Sequence, residues 1–246
     1  KVFLIPENGD WRKALQRVLT EPSKLDGKNH DTAIVQEQAI GTEFAIGTVS
    51  SNGKHYIAQI IQYTKGRAGN RSVVYDYVEF IPFNEEVHGE MWQYTKRVLD
   101  ALGVRWGAAH NEIMLTSNGP RLIETSPRMT GGPVVLFARE ASGSSQAEKW
   151  VEAIVSGNVA TKEYTWRKTV MPVFLRAKAT GVISNVEALD GISRLPTLFR
   201  PFIWFKNGDK LSQTVDYLSS IGIVALSGDR ESVLRDYQKI REMEGR

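Results

Sequence analysis

The chain has 246 residues, with 31 Lys and Arg against 28 Asp and Glu, and its formal net charge is +3. Its basic residues form no run, which argues against an electrostatic nucleic-acid binder, and no apolar stretch approaches the ~20 residues that a membrane span requires. The proportions of 41% hydrophobic and 24% charged residues exclude a disordered or collagen-like chain, and the lack of cysteine leaves carboxylates and the four histidines as the candidate metal ligands.

The first part of the chain carries the patterns of a small α+β unit. Apolar residues at helical spacing predict a helix from Trp11 to Leu19, which the Glu21-Pro22 pair ends. The strands predicted in this part are Lys1–Pro6, Thr32–Gln38, Glu43–Val49 and Tyr56–Tyr63. The last two strands flank the turn sequence Ser51–Lys54 and therefore predict a hairpin, and a basic loop is expected from Thr64 to Arg71.

The rest of the chain alternates helices with short strands. An apolar stripe predicts a helix over Glu86–Leu102, with Gly103 as its C-terminal stop. Further helices are predicted at Pro133–Ala141, Gln146–Val155 and Glu231–Met243, and further strands at Ser72–Ile81, Arg105–Thr116, Arg121–Ser126, Val170–Ala177, Val182–Val186, Phe199–Phe205 and Ile221–Leu226. The change to short, glycine-punctuated strands after Lys168 indicates a domain boundary near residue 165.

The most informative chemistry lies in the hairpin predicted between residues 105 and 126. If residues 117–119 form a three-residue loop with Gly119 in the left-handed conformation, Glu112 faces Glu124 on the partner strand. A two-residue Asn118-Gly119 loop would instead place Glu112 opposite Thr125. The turn type therefore decides whether two carboxylates meet.

Two facing carboxylates would repel each other, since their Cβ atoms would be ~4.5–5.5 Å apart. Mg²⁺ is the expected neutralising ion, with Mn²⁺ as the alternative, because Mg²⁺ favours one or two protein carboxylates completed by substrate phosphates and water. Arg128, four residues after Glu124, could reach the same phosphate or a developing oxyanion. The alternative is that Glu112 and Glu124 face solvent and each pairs with Lys or Arg, although the apolar residues around them favour a buried sheet.

The segment HNEIML…GPRLIETSPRMTGG, within residues 110–132, resembles the metal-binding strand pair of the ATP-grasp superfamily of carboxylate–amine ligases. That family has a glutamate on one strand and a Glu-x-Asn-x-Arg signature on the next. Glu112, Glu124 and Arg128 match this pattern, whereas Ser126 stands where Asn is usual. The resemblance spans nearly the whole chain and implies an α+β ATP-grasp fold: residues 1–63 as part of the small lobe and hinge, 64–164 as the large lobe with the metal and phosphate site, and 165–246 as a C-terminal β-rich subdomain.

The resemblance also implies nucleotide contacts. In the segment 34–54, Glu37 and the backbone of Ile40 would meet the adenine edge, and Glu43 would bind the ribose hydroxyls. The α/β domain and the small-lobe lysines that precede this region in the family are absent from the sequence. We therefore expect that an isolated 246-residue piece is not a complete catalyst.

Among the branches of the family, the L-amino acid ligases, which join two amino acids into a dipeptide, look most similar. Their acid-x-x-His-x-x-Pro pattern resembles Asp76–Pro82, in which Glu79 replaces the histidine. The resemblance implies that Asp76 binds the α-ammonium group of the substrate and that Glu79 adds negative charge, which favours arginine or lysine as one substrate. His110 is expected either to contact phosphate or substrate or to be a hydrogen-bonded interior histidine.

The reaction that the resemblance implies has two steps. A substrate carboxylate takes the γ-phosphoryl group of ATP to give an acyl phosphate and ADP, and an amine then displaces phosphate to form an amide. The expected partners are amino-acid substrates, without nucleic acid or membrane, in the cytoplasm, and the resemblance is compatible with a homodimer. The alternatives are another ATP-grasp branch, biotin-carboxylase-like or purine-biosynthetic, and a non-catalytic nucleotide- or RNA-binding module.

Overall fold

The structure is a computed structural model that describes residues 3–5, 8–22, 27–68, 72–160, 164–183 and 186–244. The chain forms two compact units, residues 1–40 and residues 41–246. Among the described residues, no helix has both the length and the apolar character that are needed to cross a bilayer.

The described part of the first unit contains the helix α1 (Trp11–Thr20), as predicted. The Asp10 side chain caps it by accepting a hydrogen bond from the backbone N–H of Arg12 at 3.1 Å. The strand predicted over Thr32–Gln38 is absent, and so is a strand at Phe3–Ile5; Lys1, Val2 and Pro6 of that prediction lie outside the described residues. The physical reason is that Ile34 and Val35 are 88% and 63% exposed, so among the described residues this segment has neither a neighbouring strand nor a core to pack against.

The second unit is built on an antiparallel sheet of eight strands. These strands are β1 (Gly41–Ser51), β2 (Lys54–Ala68), β3 (Ser72–Phe80), β4 (Gly107–Thr116), β5 (Gly119–Ser126), β6 (Thr169–Leu175), β8 (Leu198–Ile203) and β10 (Gly222–Gly228). Their spatial order is β5-β4-β1-β2-β3-β6-β10-β8, and a separate ribbon pairs β7 (Gly181–Val182) with β9 (Lys210–Leu211). The helices are α2 (Glu85–Ala101), α3 (Val134–Ser142), α4 (Gln146–Ser156) and α5 (Arg230–Met243), and 3₁₀ segments cover Val186–Arg194 and Tyr217–Ser219.

Most predicted helices and strands are confirmed, and the loop expected after Thr64 needs correction. The basic loop expected from Thr64 is wrong, because β2 continues to Ala68 and pairs with β3; Arg71 lies outside the described residues. The domain boundary near residue 165 stays a prediction, and across it β6 pairs directly with β3. The strands of the last third of the chain therefore extend the sheet of the first two thirds.

Helices cover both faces of the sheet. On one face, α2 packs Met91 against a core that includes Phe44, Ile60 and Ile113, and α5 packs against β6 and β10. On the other face, α3 packs Phe137 against Phe80 with ring centroids 6.5 Å apart. On this second face, Glu124 of β5 is exposed.

Candidate metal centre

Three ligand-type side chains converge on β4 and β5. His110, Glu112 and Glu124 each offer one donor atom, and these atoms lie within 4.8 Å of one another. Glu112 and Glu124 are directly opposed in the strand pair, as predicted. His110 shares the face of Glu112 because alternate residues of a strand point to the same side.

The opposition of the two glutamates arises from a β-bulge that the sequence pattern did not indicate. Gly119 has the predicted left-handed conformation, with φ of +86°, but Thr116 pairs with Gly119 across a two-residue turn rather than with Pro120. That register would place Glu112 opposite Ile123. A register shift between Glu112 and Ile113 adds one residue to β5 and restores the pairing of Glu112 with Glu124.

Glu112 is a half-buried carboxylate that is held in its charged form. His110 Nε2 lies 3.1 Å from Glu112 Oε1 and donates to it. This hydrogen bond is the main cause that lowers the pKa of Glu112, with smaller contributions from the charges of Lys65 and Arg128 and against the effect of burial. Glu124 is exposed and accepts a hydrogen bond from Ser126 Oγ at 3.4 Å.

Neither glutamate forms an ion pair with Lys or Arg among the residues that the structure describes. The alternative of two glutamates that are each neutralised by a basic side chain is therefore not observed. Two carboxylates and an imidazole fit a divalent cation, because Mg²⁺ and Mn²⁺ bind oxygen ligands and Mn²⁺ also accepts nitrogen.

A chain of buried hydrogen bonds orients the imidazole of His110, which is 4% exposed. Its Nδ1 lies 3.1 Å from Thr130 Oγ1, and Gln59 Nε2 donates to the same oxygen at 2.9 Å. The backbone N–H of Thr130 in turn donates to Gln146 Oε1 at 2.9 Å. Sequence analysis missed Gln59, Thr130 and Gln146, since nothing in their local pattern distinguishes them from ordinary polar residues.

A cation and two phenol rings lie beside the glutamates. Lys65 Nζ donates to both oxygens of Glu43, at 2.6 and 2.7 Å, and sits 4.9 Å from the ring centroid of Tyr75. Burial, with added repulsion from Glu112, raises the pKa of Tyr63 and of Tyr75, so both phenols stay neutral. Sequence analysis did not identify Lys65 as a candidate site residue, because Lys65 fell within the predicted loop. Tyr63 and Lys65 nevertheless continue the alternation of side chains along β2.

Arg128 lies on the loop that follows β5 and is exposed. Its Nη1 donates to the carbonyl oxygen of Met129 at 2.9 Å, and its charge helps to lower the pKa of Glu112. The guanidinium therefore acts electrostatically on Glu112.

The structure does not bring Asp76 and Glu79 to this cluster. Glu79 pairs in register with Gln62, on the face of the sheet opposite Glu112, and Arg230 donates to both of its oxygens at 2.9 and 3.4 Å. Asp76 occupies a bulge in β3 and accepts hydrogen bonds from Arg241 at 2.6 Å and from Tyr237 at 2.9 Å. Each carboxylate is thus paired with an arginine of α5, and Asp76 also bonds to a tyrosine of the same helix.

The predicted adenine contacts belong to the first compact unit. Glu37 is exposed and Ile40 is 76% exposed. Their roles stay predictions.

Comparison with known proteins decides the family. The ATP-grasp domain family matches residues 1–136. The chain belongs to the ATP-grasp family. Dapdiamide A synthase of Enterobacter agglomerans is 24% identical over 99% of this chain and 58% of its own length.

Solved structures share the fold. An L-amino acid ligase from Bacillus licheniformis superimposes with a TM-score of 0.70 at 20% identity, over 82% of this chain and 51% of the ligase. A phosphoribosylglycinamide synthetase from Anaerococcus prevotii gives a TM-score of 0.64 at 13% identity, over 83% of this chain and 52% of the synthetase. The ATP-grasp chain thus spans between half and three fifths of the length of these relatives.

Proposed function

We propose that this ATP-grasp chain belongs to an ADP-forming carboxylate–amine ligase that joins two amino acids. The observation that carries the proposal is the opposition of Glu112 and Glu124 next to His110, with their donor atoms within 4.8 Å of one another. Such a cluster binds a divalent cation that in turn binds a triphosphate. The similarity to dapdiamide A synthase and the shared fold of an L-amino acid ligase support an amide-forming reaction.

In this proposal the chain's own residues position the phosphates. Glu112 and Glu124 hold a divalent cation, which when bound would neutralise phosphate charge during transfer. Arg128 binds the transferring phosphoryl group and later the oxyanion that forms when the amine attacks. Lys65, which Glu43 and Tyr75 hold in place, adds a second positive charge beside the cluster.

We assign the nucleotide contacts that the family resemblance implies as part of the same proposal. Glu37 and the backbone of Ile40 contact the adenine edge, and Glu43 contacts the ribose hydroxyls. Glu43 is bound to Lys65 in this structure, so contact with ribose requires one oxygen of Glu43 to accept from the sugar while the other stays on Lys65. Two oxygens with about four lone-pair sites allow this sharing.

The finer part of the proposal, a preference for arginine or lysine as one substrate, stays a prediction. It depends on negative charge from Asp76 and Glu79, and in this structure these carboxylates pair with Arg241 and Arg230.

The test is release of ADP and phosphate by the intact protein, with ATP and a divalent cation, across a panel of amino-acid pairs. The expected result is release that requires two amino acids together and yields stoichiometric dipeptide. Release with one amino acid plus bicarbonate or formate would instead place the protein in a biotin-carboxylase-like or purine-biosynthetic branch. Absence of nucleotide turnover together with salt-sensitive RNA binding would favour a binding module.

A further inference from the structure

His110 is the third side chain of the cluster that contains Glu112 and Glu124, and its position indicates a role beyond that of an interior histidine. We infer that His110 is a direct nitrogen ligand of the metal ion and that it makes the centre prefer Mn²⁺, or another transition-metal dication, to Mg²⁺. The inference rests on the proposed role of Glu112 and Glu124 as metal ligands. Imidazole suits transition metals, whereas Mg²⁺ is bound mainly through oxygen.

The position of Nε2 supports ligation. His110 Nε2 lies 3.1 Å from Glu112 Oε1, and both atoms fall within 4.8 Å of a donor oxygen of Glu124. An ion at the centre of the three atoms would replace the hydrogen bond between His110 and Glu112. Nε2 must then present its lone pair, so the ring proton must reside on Nδ1.

The structure provides an acceptor for that relocated proton. Nδ1 lies 3.1 Å from Thr130 Oγ1, and this hydroxyl can accept from Nδ1–H as well as donate to a bare Nδ1. Metal-bound histidines commonly donate their second ring N–H to such a group, which fixes the tautomer and the ring orientation. Thr130 occupies that place here.

Gln59 completes the arrangement. When Thr130 accepts a hydrogen bond from His110, the hydrogen of its own hydroxyl needs an acceptor. In the present orientation, Gln59 faces Thr130 with Nε2 at 2.9 Å, which is a donor and cannot accept this hydrogen. The other end of the amide, Oε1, is buried without a hydrogen-bond partner among the described residues. A half-turn of the amide brings Oε1 to Thr130 and creates the sequence from His110 through Thr130 to Gln59 that a metal-bound imidazole requires.

The surroundings hold this chain in place. Gln146 accepts from the backbone N–H of Thr130 and donates to the carbonyl oxygens of Thr48 and Ala109, each at 2.9 Å. Gly47 leaves the space that Gln59 fills, since a Cβ atom at that position would lie 2.8 Å from Gln59 Cγ. A histidine that only contacted phosphate would not need both ring nitrogens engaged in a buried network.

The direct test is pulsed electron paramagnetic resonance of Mn²⁺ bound to the intact protein with a non-hydrolysable ATP analogue. The expected spectrum shows a nitrogen coupling that changes when the protein is labelled with ¹⁵N-histidine and disappears in His110→Gln. The labelling experiment uses the unmodified sequence, so it remains decisive even where His110→Gln fails to fold. A spectrum without histidine coupling in the unmodified protein would overturn the inference.

A second measurement addresses selectivity. Competitive titration with the same analogue gives the ratio of the Mg²⁺ dissociation constant to the Mn²⁺ dissociation constant. This ratio should fall about tenfold or more in His110→Gln. Thr130→Val should weaken Mn²⁺ binding by about 10–100-fold. Thr95→Val is the matched control, because Thr95 is buried in α2 on the other face of the sheet and its hydroxyl donates to the carbonyl oxygen of Met91. Equal loss in both threonine variants would contradict the inference.

These experiments also separate the inference from the proposed function. If Glu124→Gln abolishes Mn²⁺ binding but no histidine coupling is seen, the glutamate site stands and only the role of His110 is overturned. If Glu124→Gln leaves Mn²⁺ binding unchanged, the metal centre itself is wrong, and the proposed function loses its main support.

Discussion

Replacing Glu124 by Gln should stabilise the metal-free protein while removing its metal response. Glu124 and Glu112 place donor oxygens within 4.8 Å of each other without a Lys or Arg partner among the described residues. At that separation two unit charges repel by about 0.9 kcal/mol in water and about 3.5 kcal/mol at an effective dielectric constant of 20. Because Glu124 is exposed, we expect the gain in unfolding free energy to lie near the lower value, about 1 kcal/mol.

Glu112→Gln is the matched comparison. It removes the same repulsion, but it also weakens the hydrogen bond that Glu112 accepts from His110, and a hydrogen bond to a charged group contributes about 1.5–3 kcal/mol. We therefore expect Glu112→Gln to be neutral or destabilising. The difference between the two variants reflects the local surroundings of each carboxylate.

The assay is thermal unfolding in a chelator at low and high salt, followed by unfolding with Mg²⁺ or Mn²⁺ and a non-hydrolysable ATP analogue. A gain of about 1 kcal/mol corresponds to a rise of about 2–4 °C in Tm for a protein of this size, and salt should reduce the gain. In the presence of metal and nucleotide, only the unmodified protein should gain stability. The reasoning is refuted if Glu124→Gln is no more stable than the unmodified protein, or if metal stabilises both equally.

Three further predictions concern single side chains. Arg128→Lys should lower kcat in the ligation assay by about 100-fold with little change in folding, because lysine lacks the planar fork of donors. Burial lowers the pKa of His88, so below about pH 6.5 the unfolded state takes up a proton that the folded state does not. The free energy of unfolding should therefore fall as the pH is lowered, by at most about 1.4 kcal/mol per pH unit. Chemical denaturation of His88→Gln should lack this contribution to the pH dependence. Asp236→Ala should cost about 1–3 kcal/mol in chemical denaturation, since it leaves the buried N–H and hydroxyl of Thr197 unpaired.

The sequence predicts the local elements of this fold well and its long-range pairings poorly. The period of apolar residues locates α2, α4 and α5, and turn residues locate the β1–β2 and β4–β5 hairpins, because these signals act over a few residues. The segment Thr32–Gln38 has the composition of a strand but stays unpaired. Whether such a segment joins a sheet depends on neighbours that composition does not specify.

The substrate residues show the same limit. Asp76 and Glu79 match a local pattern, but they pair with Arg241 and Arg230, more than 150 residues further along the chain. The bulge at Asp76 also changes which side chains of β3 share a face. No local motif records either effect, so the preference for arginine or lysine as one substrate stays a prediction.

In the candidate metal centre, the family motif specifies only some of the side-chain positions, and the fold specifies the rest. The positions of Glu112 and Glu124 follow from one hairpin, although the pairing depends on a bulge that compensates for a shorter turn than expected. The orientation of His110 depends instead on Thr130, which follows β5, and on Gln59 from β2. Three segments must therefore fold together before the orientation and the tautomer of the imidazole are fixed. A sequence that kept the two glutamates and Arg128 but lost Gln59 or Thr130 would retain the family motif, and on our inference it would bind Mg²⁺ and Mn²⁺ with more nearly equal affinity.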